Sequence, residues 1–259
     1  MDKFTVYQSQ LSGSVKVSGS KNAALPVMAA TLLTDEECVI GNIPNLKDVK
    51  TMIGILECLG KKINFNNKTL RVKSRKNKSF VAPYRLVRTM RASFCCLGPV
   101  LAKRKKAKVA LPGGCIIGPR PVDLHTKGLK DLGAEIIVEK GYCEAKAKRL
   151  KGAHIYLGGI FGSSVLATAN VLMAAVLARG ESIIEHAACE PEIECLVKFL
   201  NKMGAKIEGE GTPLLRIKGV DELYGCEFEI IPDRIEAGTF IAASLATKSP
   251  FSIKGANPL

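Results

Sequence analysis

The chain has 259 residues, 47% of them hydrophobic, which is enough for one large or two medium domains and excludes a disordered or fibrous protein. Its 38 lysines and arginines against 24 aspartates and glutamates give a formal charge of +14, a field that draws anions: nucleic acid, anionic lipid or phosphorylated small molecules. No apolar run is long enough for a membrane span, the N-terminus "MDKFTVYQSQ" lacks a secretion signal, and nine scattered cysteines without a C-x-x-C pair argue against disulfides and zinc, so a reduced, cytoplasmic protein is expected.

The first element is "SKNAALPVMAATLL" (20–33), a helix apolar nearly all round, as expected of one buried among close neighbours. A strand in "ECVIGNIP" (37–44) follows, then the amphipathic helix "LKDVKTMIGILECLG" (46–60), ended by glycine. The same order recurs. "YRLVRTMRASFCCLGPVLA" (84–102) predicts a second inner helix, "AKVALPGG" (107–114) a strand and "PVDLHTKGLKDLG" (121–133) a second outer helix. "SSVLATANVLMAAVLA" (163–178), "ESIIEHAACEP" (181–191) and "EIECLVKFLNKMG" (192–204) make a third set. Each set closes on a similar phrase, "LGKKI", "LGAEI" and "MGAKI", about 72 residues apart.

A fourth copy opens with "RIEAGTFIAASLATKS" (234–249) and the strand-like "PFSIKGANP", but its outer helix and closing strands are missing. A repeat buries its apolar face only against its own parts and its neighbours, so the chain is expected to be a portion of a longer protein. The predicted architecture is α/β, with three complete repeats, sheets outside and apolar helices inside. The basic runs "KSRKNK" (73–78) and "KRKKAK" (103–108) read as solvated edges; with aromatics at 5% and no tryptophan, nucleic acid is not an expected partner.

Chemistry-bearing residues cluster in few places. Lys21 and Asn22 stand at a helix start, where free amides and the dipole favour an anion. Arg91 sits on an otherwise apolar segment and needs a partner. In "LPGGCIIGPRPVDLH" (111–125), Cys115 follows two glycines and precedes Arg120, Asp123 and His125. Glycines beside a thiol suit a closing lid, and a nearby arginine lowers a thiol's pKa.

"SGSKNAALPVMAATLL", "TMRAS", "LPGGCIIGPRPVDLH", "LKGAHIYL", "EPEI" and "PDRIEAGTF" together resemble the UDP-N-acetylglucosamine 1-carboxyvinyltransferases, enolpyruvyl transferases of peptidoglycan synthesis, over essentially the whole chain. The resemblance implies an inside-out α/β barrel of the enolpyruvyl transferase type, with three complete repeats and an incomplete fourth. Residues 20–230 would form one complete three-repeat domain, and 1–19 with 231–259 part of a second, with roughly the last two-fifths of the expected protein absent. It implies transfer of the enolpyruvyl group of phosphoenolpyruvate to the 3′-hydroxyl of UDP-N-acetylglucosamine, with no cofactor or metal and no nucleic-acid or membrane partner.

By the same resemblance Cys115 is the catalytic acid and the thiol that fosfomycin alkylates, and Lys21, Asn22 and Arg120 hold phosphoenolpyruvate. Arg91, Pro121, Val122, Asp123, Leu124, Ser164 and Val165 hold the sugar nucleotide, with Asp123 accepting from the base. His125 is either structural or part of this site. Leu166 stands where relatives have glycine, and Cys189 where many have arginine. The family's general base, an aspartate, would lie beyond Leu259. Two other readings stay open: a 3-phosphoshikimate enolpyruvyl transferase, which shares fold and donor, and a non-catalytic fragment that binds sugar nucleotide.

Overall fold

The computed structural model describes residues 3–7, 9–113, 122–160 and 162–257. Strand β1 (Ser14–Lys16) precedes a first unit of α1 (Lys21–Ala30), β2 (Cys38–Gly41), α2 (Lys47–Cys58) and the hairpin β3 (Lys61–Asn66) and β4 (Thr69–Ser74). The second unit holds β5 (Val81–Ala82), α3 (Tyr84–Val87), α4 (Leu97–Arg104), β6 (Lys106–Ala110), α5 (Asp123–Asp131), β7 (Glu135–Glu139) and β8 (Tyr142–Lys146). The third holds β9 (His154–Tyr156), α6 (Val165–Ala175), β10 (Glu181–Glu185), α7 (Pro191–Lys202), β11 (Lys206–Glu208) and β12 (Leu214–Lys218). After it come β13 (Glu227–Glu229), α8 (Arg234–Thr247) and β14 (Ser252–Lys254).

The described residues form three four-stranded sheets with one plan. In the second sheet β5 runs parallel to β6, β6 antiparallel to β8, and β8 antiparallel to β7. In the third, β9, β10, β12 and β11 repeat that order and those directions. In the first, β2, β4 and β3 are the same, but the parallel edge strand is β13, with Phe228 opposite Ile40. The end of the third unit therefore returns to the first sheet and closes the ring of three.

Alternation explains why the sheets lie outside: β4 buries Leu70 and Val72 and exposes Arg71 and Lys73, which alternate with them. Inside, α1 is buried from Ala23 to Ala30 and α6 from Ala167 to Ala175. Small side chains let these helices approach closely. A Cβ at Gly98 of α4 would land on the Asn170 carbonyl oxygen of α6, and one at Gly128 of α5 would meet Val171. The outer helices bury one stripe each, Val49, Met52, Ile55 and Leu56 in α2. Each ends before a glycine with positive φ: Gly60 (+89°), Gly133 (+89°) and Gly204 (+103°).

One expected element differs. The stretch 84–102 is not one helix: α3 ends, Met90 is extended, and residues 91–96 form a 3-10 turn that leads into α4. Pro99, in the first turn of α4, has no N–H to continue a helix from Cys95. The Ser93 hydroxyl reaches the carbonyls of Val87 (3.1 Å) and Met90, occupying groups that the broken helix leaves open.

The segments 17–20 and 230–236 run past each other and are tied together. The Ser20 amide donates to the Ile231 carbonyl (2.7 Å), the Asp233 amide to the Ser18 carbonyl (2.8 Å), and the Ser18 amide to a Glu236 carboxylate oxygen (2.7 Å). Beyond this crossing β1 pairs in parallel with β14, Val15 opposite Ile253. In α8 only Ala237 is buried, and Ile235, Ile241 and Leu245 are exposed.

Candidate active site

A cleft of about 500 Å³ opens where the N-terminal ends of α1, α6, α7 and α8 and the 3-10 turn at Arg91 converge. Helix α1 begins there because Ser20 is extended and its hydroxyl accepts from the Ala23 amide (3.3 Å). The Lys21 amide donates to Asp233 Oδ2 (3.2 Å), while Asp233 Oδ1 accepts from the Ile235 and Glu236 amides (2.8 and 3.1 Å), so one carboxylate caps both α1 and α8. Lys21 Nζ pairs with Asp48 Oδ2 of α2 at 3.1 Å. Half-exposed at both ends, this pair contributes about 0–1 kcal/mol, and its consequence is the direction of the ammonium group.

The opposite wall carries Arg88, Arg91 and Ala92 from the broken second inner helix, and Val165 and Leu166 from the start of α6. Ser164 caps α6, its hydroxyl accepting from the Ala167 amide (3.3 Å). The third side holds Glu192 of α7 and Arg234 of α8, joined by two parallel hydrogen bonds, Nε to Oε1 (3.0 Å) and Nη2 to Oε2 (3.1 Å). Glu192 is only 2% exposed, so loss of Arg234 would strand a buried carboxylate.

Gly113 lines the same cleft. A Cβ there would overlap the Arg88 carbonyl oxygen, so the chain leaves this wall through a position that only glycine fills, two residues before Cys115. Cys115, Arg120 and Pro121 lie outside the described residues.

Of the other residues singled out in the sequence, Lys21, Asn22, Arg91 and Val165 share the cleft, with Ser164 adjoining it. Val122, Asp123 and Leu124 form the start of α5 and are not among the cleft's lining residues; Asp123 is exposed in the first turn, where its charge complements the helix dipole. His125 is a core residue, 2% exposed, its ring edge-on to Phe94 with centroids 5.1 Å apart. Burial, reinforced by the charge of Arg91, pushes its imidazole down to about 3, so it is neutral at physiological pH.

Asp48, Arg88, Glu192 and Arg234 also line the cleft. Sequence reading did not assign them, although "EPEI" and "PDRIEAGTF" contain two of the four. The basic runs are elsewhere and have local partners: Lys78 pairs with Asp35 (2.7 Å), Lys108 with Glu144, and Lys106 lies over the Phe80 ring.

Comparison with known proteins places this architecture. The profile described as EPSP synthase (3-phosphoshikimate 1-carboxyvinyltransferase) matches residues 6–258. The chain belongs to this enolpyruvyl transferase family. Among curated proteins it is 55% identical over 249 residues to the UDP-N-acetylglucosamine 1-carboxyvinyltransferase of Methylacidiphilum infernorum, covering 96% of this chain and 59% of that one. It is 50% identical over 261 residues to the enzyme of the same name from Shewanella sediminis, covering 100% and 62%. The chain thus spans about three-fifths of the length of these relatives. The enolpyruvyl transferase NikO from Streptomyces tendae shares the fold, with a TM-score of 0.81 and 21% identity over 94% of this chain and 57% of that one. The family fold expected from the sequence motifs, with repeated β/α units, is therefore present. No helix among the described residues is long and apolar enough to cross a membrane.

Proposed function

We propose that this chain supplies the donor-binding wall and acid of a UDP-N-acetylglucosamine 1-carboxyvinyltransferase, a cytoplasmic enzyme that commits sugar nucleotide to peptidoglycan. The 3′-hydroxyl oxygen attacks C2 of phosphoenolpyruvate while the Cys115 thiol protonates C3 and a base takes the hydroxyl proton. The C2–O bond to phosphate then breaks, C3 loses a proton, and the enolpyruvyl ether and phosphate leave. Lys21 and Arg120 grip the phosphate and carboxylate, and Asn22 orients the reacting groups. Arg91, Pro121, Val122, Asp123, Leu124, Ser164 and Val165 hold the sugar nucleotide. Residues 20–230 act as one three-repeat domain; 1–19 and 231–259 begin a second, a division supported by the ring of three sheets and by the exposed faces of α8.

The observation that carries this reading is the convergence on one cleft of Lys21, Asn22, Arg91 and Val165 with Gly113, two residues before Cys115. The description of the family profile favours a second acceptor, 3-phosphoshikimate, and a chain that binds without turnover is a third outcome. Differential scanning calorimetry with each acceptor separates the first two, and release of inorganic phosphate from phosphoenolpyruvate separates either from binding without turnover. UDP-N-acetylglucosamine is expected to raise the melting temperature of the 259-residue chain and 3-phosphoshikimate to leave it unchanged; stabilisation by the latter alone would overturn the assignment.

A further inference from the structure

Three segments hold the residues proposed to bind the sugar nucleotide: the 3-10 turn beginning at Arg91, the first turn of α5 with Val122, Asp123 and Leu124, and the N-terminus of α6 with Ser164 and Val165. One side chain ties all three together. Asn170, fully buried in α6, accepts through Oδ1 from the Gly98 amide of α4 (2.6 Å) and donates through Nδ2 to the Phe94 carbonyl of the 3-10 turn (3.1 Å). The same Nδ2 lies 3.0 Å from Nδ1 of His125 on α5.

The chemistry of these partners leaves one arrangement. A backbone amide only donates and a carbonyl only accepts, so the Asn170 amide has one orientation. With both N–H groups directed outward, Nδ1 of His125 must accept, which places the imidazole proton on Nε2; the neutral ring follows from its burial. Helices α4 and α5 reach Asn170 from two sides because Gly98 and Gly128 leave no side chain between them and α6. A leucine would fill a similar volume but would leave the buried Gly98 amide and Phe94 carbonyl without this partner. A buried amide with both donors engaged instead fixes one relative placement of the elements it joins.

We infer that Asn170, acting with His125, is a positioning residue for the sugar nucleotide: it sets Arg91, the Asp123 turn and the Ser164–Val165 turn relative to one another and touches no substrate. This rests on the assignment proposed above. The test is calorimetric titration of the wild type, Asn170→Ser and His125→Phe, each with UDP-N-acetylglucosamine and separately with phosphoenolpyruvate. Each substitution is expected to weaken the sugar nucleotide by about tenfold or more and to leave phosphoenolpyruvate little changed; the double variant should be no worse than Asn170→Ser alone. A folded variant with unchanged sugar-nucleotide affinity, or an equal loss for both ligands, would overturn the inference. If Asn170→Ser does not fold, His125→Phe carries the test, since it keeps an aromatic ring against Phe94 while removing the Nδ1 acceptor, together with the Nε2 donor. The nitrogen-15 spectrum of the wild type adds a check, because a protonated Nδ1 on His125 contradicts the network. A wild type that does not bind UDP-N-acetylglucosamine defeats the functional assignment and the inference with it; binding by wild type and variants alike defeats only the inference.

Discussion

Burial sets the charge of His125. Its imidazole is held at about 3 against an ordinary 6.5, so between these values the unfolded chain binds the proton first and the folded one does not. The stability that this histidine contributes is complete above pH 6.5 and is lost as pH falls towards 3, by about 1.4 kcal/mol per pH unit. Urea midpoints between pH 7 and pH 4 should fall more steeply for the wild type than for His125→Phe; parallel slopes would show that the ring is not buried neutral. Lys21, Asn22 and Arg91 were legible in the sequence because each lies inside a short motif. Asp48 and the Glu192–Arg234 pair were not, because their partners are set by the fold: Glu192 and Arg234 are far apart in sequence and face each other only where α7 and α8 begin. Asn170 was hidden differently, one of two polar letters in "ATANVLM", with nothing nearby to show that three backbone and ring groups converge on it.

At the scale of elements, periodicity located the outer helices well because they are one-sided, and the glycines with positive φ marked their ends. The inner helices gave no such phase. A segment apolar on every face reads as helix throughout, so the break at Met90 between α3 and the Arg91 turn was invisible, although it aims Arg88 and Arg91 into the cleft. The close approach of α4 to α6 is the more demanding feature. Gly98→Ala is expected to push the two helices apart and to cost about 1–3 kcal/mol, measured by denaturant unfolding, with loss of sugar-nucleotide affinity because the Asn170 bonds are stretched. An alanine variant as stable as wild type would mean that the contact is looser than described.

For the whole molecule, the threefold repeat could be read from recurring phrases, yet the closure of the ring could not. Strand β13 completes the first sheet by pairing with β2, Phe228 opposite Ile40 across most of the three-repeat sequence, and no local pattern specifies a pairing at that separation. The positive charge is likewise distributed, with the lysine runs on the periphery and three carboxylates among the four cations of the cleft. The charges that face the cleft are therefore set by the placement of individual side chains and not by the net charge of the chain. The same distribution of environments sorts the thiols: burial holds Cys96 up at about 12 and Cys143 and Cys195 at about 11, while Cys58 and Cys189 are exposed. Peptide mass spectrometry after exposure to fosfomycin tests the central claim most directly. The account predicts that Cys115 is alkylated ahead of Cys58 and Cys189, and faster with UDP-N-acetylglucosamine present; labelling of the two exposed thiols at the rate of Cys115, indifferent to the sugar nucleotide, would contradict it.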